Sequence, residues 1–114
     1  MTADQLAALL AEDAVALVDV RSKGEFDGSV GYPCDPRQGH IPGAIHIELD
    51  ELLGAERADL RALLESHGVS GNKPLVLYCH SGSRSGIASA ALNAAGIEAE
   101  NYAGSWHEWS RRRD

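Results

Sequence analysis

Leu75-Val-Leu-Tyr-Cys-His-Ser-Gly-Ser-Arg-Ser-Gly86 decides the fold of this chain. Its first four residues are apolar or aromatic and predict a short buried strand. Cys79 then opens a tight loop of small residues, Arg84 closes it, and an alanine-rich helix follows over 85–95. A loop between a strand end and a helix N-terminus gathers unpaired backbone N–H groups in one small space. Such a nest holds an anion, and a cysteine sulfur placed there is stabilised as the thiolate. Gly82 can adopt a backbone conformation closed to other residues, and Arg84 adds positive charge. Cys79-x-x-Gly82-x-Arg84 is therefore the candidate reaction centre.

Working outward, strands and helices alternate along the whole chain. Leu6, Leu9 and Leu10 predict a helix over 3–12, and Val15 to Val20 a first parallel-type strand ending in Asp19-Val-Arg21. Ligand sites form at that edge of an open α/β sheet, and a buried Asp19 needs a partner, so a structural role is expected for it. Ser22 and Glu25 have capping-box spacing on a short helical turn. Asp27 to Gly39 is a long surface loop rich in Gly, Pro and Asp. Pro42-Gly43 favours a type II turn before a short strand, 44–47. A helix over 59–67, with Leu60, Leu63 and Leu64 on one face, stops at Gly68. Gly96 stops the helix after the loop, a last strand occupies 97–102, and Gly104 to Trp109 forms a short final helix. Trp106 and Trp109, three apart, share one core-facing side. The pattern predicts one three-layer α/β domain over 1–114, with a central parallel sheet and helices on both faces.

Composition narrows the function. The chain has 114 residues, 44% hydrophobic and 24% charged, with a formal net charge of -7. That charge disfavours nucleic acid and anionic membranes as partners. The basic run Arg111 to Arg113 reads as a solvated tail. No apolar run is long enough to span a bilayer, and no signal-like segment opens the chain. A reducing, cytoplasmic setting is expected, with free thiols rather than a disulfide framework. The five histidines are dispersed and neither cysteine belongs to a Cys-x-x-Cys pair, so no metal site is expected.

The loop also discriminates between chemistries. Cysteine-dependent phosphatases use Cys-x5-Arg, a wider cradle for tetrahedral phosphate. Only four residues separate Cys79 from Arg84, and the smaller ring suits a terminal sulfur bound to the cysteine sulfur. The expected reaction is covalent sulfur transfer, in which Cys79 takes a sulfane sulfur, becomes a persulfide and hands that sulfur to a nucleophilic acceptor. A phosphatase or arsenate reductase, and a noncatalytic partner-binding or regulatory module, are the competing classes.

Four pieces in order, Asp19-Val-Arg21, Gly39-His-Ile-Pro-Gly-Ala44, Cys79-His-Ser-Gly-Ser-Arg84 and Gly104-Ser-Trp-His-Glu-Trp109, make the sequence resemble a single-domain rhodanese of the thiosulfate sulfurtransferase family. The resemblance implies the rhodanese α/β fold and a catalytic persulfide on Cys79. It implies a loop of His80, Ser81, Gly82, Ser83 and Arg84 that binds substrate and steadies the persulfide, supported by Asp19, Arg21 and His40. It also implies a small anionic donor such as thiosulfate, with cyanide, a small thiol or a protein thiol as acceptor, and no cofactor besides the persulfide. His40 is expected to hold its turn rather than to move protons. The segment from Gly28 to Gln38 is longer than is usual in small members, and its Cys34 is a candidate resolving cysteine for Cys79.

Overall fold

Two short runs of mostly buried residues form the centre of a four-stranded parallel sheet, and two shorter, half-exposed strands flank them. In a computed structural model, which describes residues 1–112, the four are β1 (Ala16–Asp19), β2 (Ile45–His46), β3 (Leu75–Tyr78) and β4 (Ala99–Asn101), in the order β2-β1-β3-β4. The central pair, β1 and β3, runs in register from Ala16 opposite Leu75 to Asp19 opposite Tyr78. That register brings the C-terminal ends of β1 and β3 together, and with them Asp19 and Cys79.

Side-chain alternation along the strands feeds two cores. Val18, Leu75, Leu77 and Cys79 face one side. There they meet Leu52 of α3 (Leu49–Gly54), Leu60 and Leu64 of α4 (Leu60–Ser66), and Ala88 and Leu92 of α5 (Ser83–Ala94). Leu17, Val76 and Tyr78 face the other, against Ala3 and Leu6 of α1 (Ala3–Ala11) and Trp106 and Trp109 of α6 (Ser105–Trp109). Each buried Leu or Val contributes about 1.5–3 kcal/mol by leaving water. The expected three layers are present, and both tryptophans pack as their spacing predicted.

Local signals also take their expected form. Ser22 and Glu25 make a complete capping box on α2 (Lys23–Asp27). Gly43, at φ 88°, sits in a turn closed by the Ala44 N–H on the Ile41 carbonyl. Several boundaries differ. The outer strands are shorter than 44–47 and 97–102, α5 begins two residues earlier than expected, and α3 is an additional helix. Among the described residues, no helix is long and apolar enough to cross a membrane.

Candidate active site

Cys79 follows the last residue of β3 and is 1% exposed. Its Sγ accepts the Gly82 N–H at 3.1 Å and the Ser85 hydroxyl at 3.3 Å. The loop can curl this tightly because Gly82 takes φ 97°; a Cβ there would lie 2.7 Å from the Ala103 carbonyl oxygen. Its carbonyls are held from behind: Trp106 N–H donates to the Cys79 oxygen and His107 N–H to the His80 oxygen, each at 2.9 Å. The N–H groups are left facing the sulfur. Burial pushes the Cys79 thiol up, but the Ser85 hydroxyl and the backbone N–H groups of Ser85, Gly82 and Ser81 outweigh it and leave the pKa below that of an ordinary thiol. Ser105 completes the floor from an unusual backbone, φ 55°, accepting the Cys79 N–H at 3.1 Å.

The Arg84 side chain pairs with Glu25 and stays within electrostatic reach of Cys79. Its two terminal nitrogens donate to the two carboxylate oxygens at 2.8 and 3.0 Å. Burial pushes the Glu25 carboxyl up, yet the Arg84 pair and the Ser22 cap together bring it down to about 2. The pair joins α2 to α5. A hollow of about 140 Å³ opens beside Arg84, lined also by Val20, Ser22, Glu48, Leu49 and Asp50. A second of about 300 Å³ opens beside Glu25, lined also by Ser22, Val30, Gly31, Tyr32 and Pro33.

A family model described as Rhodanese-like domain matches residues 2–112. The chain belongs to the rhodanese family. It is 32% identical over 117 residues to a thiosulfate sulfurtransferase of Azotobacter vinelandii, covering 97% of this chain and 42% of that protein. It is 31% identical over 109 residues to a 3-mercaptopyruvate sulfurtransferase of Escherichia coli, covering 90% of this chain and 39% of that one. A crystal structure of a probable thiosulfate sulfurtransferase superposes with a TM-score of 0.77 at 40% identity, over 97% of this chain and 44% of that one. The chain thus spans about two fifths of the length of these curated relatives.

The other residues of the rhodanese motifs hold the framework. Asp19 and Arg21 form a fully buried ion pair at 2.7 Å, and Arg21 also donates to the Gly39 carbonyl at 2.6 Å. The guanidinium lies over the rings of Tyr78 and Trp106. His40 stacks on Phe26 with ring centroids 3.8 Å apart, and its Nδ1 lies 2.8 Å from the Phe26 carbonyl oxygen. Asp19 is thus paired within its own strand end, and His40 is packed against α2. Ser81 and Ser83 lie exposed at the rim of the loop.

The long segment folds onto the active loop. Tyr32 stacks on the His80 ring at 3.7 Å, and the buried Asp35 carboxylate lies 2.9 Å from His80 Nε2. Arg37 donates to the Trp109 and Ser110 carbonyls, while the Trp106 indole donates to the Arg37 carbonyl. The His80 side chain is thus committed to the loop, and Cys34 is exposed with a free thiol. The expected solvated basic tail needs correction. Arg111 pairs with Asp35 at 2.9 Å, and Arg112 pairs with Asp4 and covers Trp109, because an acidic loop and an aromatic face lie within their reach. Arg113 lies outside the described residues. Sequence reasoning did not single out Glu25 as the partner of Arg84, Asp35 as a hub, or Ser105 beneath Cys79. Of these only Glu25 carried a signal, through its cap.

Proposed function

We propose that this rhodanese domain is a sulfurtransferase working through a persulfide on Cys79. The supporting observation is the convergence of Gly82 N–H and Ser85 hydroxyl on a buried Cys79 sulfur. The thiolate attacks the outer sulfur of a small anionic donor such as thiosulfate. A Cys79 S–S bond forms, the donor S–S bond breaks, and sulfite leaves with the electron pair. The N–H groups of the loop hold the terminal sulfur of the persulfide as they held the thiolate. Cyanide or a thiolate acceptor then attacks that sulfur, leaving as thiocyanate or a new persulfide, and the Cys79 thiolate is restored.

The chemistry asks for no cofactor beyond this covalent sulfur, and its reacting groups lie in one loop of a single proposed domain over 1–114. Two free thiols suit a reducing compartment such as the cytoplasm. The Arg84 charge draws the anionic donor to the loop mouth, with Glu25 fixing the guanidinium. Incubation with thiosulfate under reductant-free conditions is expected to add the mass of one sulfur atom at Cys79, and cyanide to remove it. Cys79→Ala protein is expected to show neither adduct nor turnover. A wild-type protein that takes up no sulfur from thiosulfate or 3-mercaptopyruvate would sink the reading.

A further inference from the structure

The five histidines are scattered in sequence, but the fold gathers two of them with two other metal-type donors. Cys34 and Asp35 come from the long loop, His80 from the active loop and His107 from α6. One ligand atom from each lies within 4.8 Å of all the others. We propose that Cys34, Asp35, His80 and His107 bind a borderline transition-metal ion, Zn²⁺ by the chemistry of the set.

Asp35 is the centre of the arrangement. Its side chain is fully buried, with Oδ2 2.9 Å from His80 Nε2 and Oδ1 3.6 Å from His107 Nδ1. Cys34 Sγ lies 3.9 Å from Oδ1. Tetrahedral zinc, with bonds of about 2.0–2.3 Å to nitrogen, oxygen and sulfur, spaces its ligands about 3.3–3.8 Å apart. The observed separations bracket that spacing: the Asp35–His80 contact must lengthen by a few tenths of an ångström, and the wider ones, none above 4.8 Å, must close. One thiolate, one carboxylate and two neutral imidazoles match zinc in softness and cancel its charge. The Cys34 thiol gives its proton to solvent on binding.

Surrounding groups already orient these ligands. Arg111 donates to Asp35 Oδ1 at 2.9 Å and to the Cys34 carbonyl at 2.9 Å, leaving Oδ2 to turn from His80 to the ion. Tyr32 supports the His80 ring by stacking. Cys34 is exposed and the His107 side chain is 51% exposed, which gives the ion an entry path. A bound ion ties the long loop to the residue that follows Cys79, without depending on the sulfur-transfer reading.

The test uses the full chain carrying Cys79→Ala, so that Cys34 is the remaining thiol. Anaerobic titration with Co²⁺ is expected to saturate at one ion per chain, with the visible bands of a tetrahedral site and thiolate-to-cobalt charge-transfer absorption. Zn²⁺ should bleach both. Adding His107→Ala or Cys34→Ser, both at exposed positions, should weaken Co²⁺ by at least about tenfold, and Cys34→Ser should also abolish the charge-transfer band. Absence of binding, an octahedral spectrum, or either variant binding as tightly as its parent overturns the proposal.

Discussion

A thiol 1% exposed should resist ionisation, yet Cys79 is held below the ordinary thiol range. The leading source is dipolar. Arg84 spends its fork on Glu25, whereas N–H and O–H groups point at the sulfur. Ser85 has one hydroxyl hydrogen and two acceptors in reach, Cys79 Sγ at 3.3 Å and Asn101 Oδ1 at 2.6 Å. Turning that hydrogen to the thiolate leaves Asn101 unserved, so its net help is below the 1.5–3 kcal/mol of a full hydrogen bond to a charge. Ser85→Ala is therefore expected to raise the Cys79 pKa, by less than the loss of a full hydrogen bond to a charge would. The pH dependence of alkylation by iodoacetamide, read at Cys79 by peptide mass, measures it. An unmoved profile would assign the stabilisation to the backbone alone.

At the scale of elements, the turn from β3 into α5 depends on Gly82. Alanine there meets both a positive φ and the Ala103 carbonyl oxygen at 2.7 Å, backbone that cannot swing aside. Gly82→Ala is expected to lose about 1–3 kcal/mol of stability and to turn the Gly82 N–H away from sulfur. Urea unfolding together with the alkylation profile tests both effects; a wild-type midpoint would show that the loop relaxes freely. This strand–loop–helix unit was legible because a buried strand, small loop residues and a helix stop at Gly96 lie in one continuous stretch. The helix α3 was not: it is six residues long and Glu48 supplies no side-chain cap. Nor was the Glu25–Arg84 pair, whose partners lie 59 residues apart. His80 and His107 looked dispersed because only the folding of α6 and the long loop onto the active loop brings them together. That a buried Asp19 would need a hydrogen-bonding or charged partner was readable from its place at the end of an apolar strand, and Arg21 is that partner.

Across the molecule, acid stability should report the link between α2 and α5. Glu25 has its carboxyl lowered from 4.5 to about 2, so the folded state binds the proton less readily than the unfolded chain. Its stabilisation is complete above about pH 4.5 and fades as pH falls towards 2. The Arg84 side chain is 31% exposed and solvent screens the pair, which reduces the contribution to on the order of 1–2 kcal/mol. Total charge acts in the opposite sense at first: with 17 acidic and 10 basic residues, mild acidification relieves repulsion among carboxylates. The difference between wild type and Glu25→Gln cancels most of that background. At neutral pH the variant is expected to be less stable by about 1–2 kcal/mol, with the gap closing below pH 4.5 and nearly gone at pH 2. Urea unfolding of both proteins across that range decides the point. A gap that stays constant with pH would mean that Glu25 acts through packing and its cap on α2, and that its charge does not hold Arg84 at the mouth of the loop.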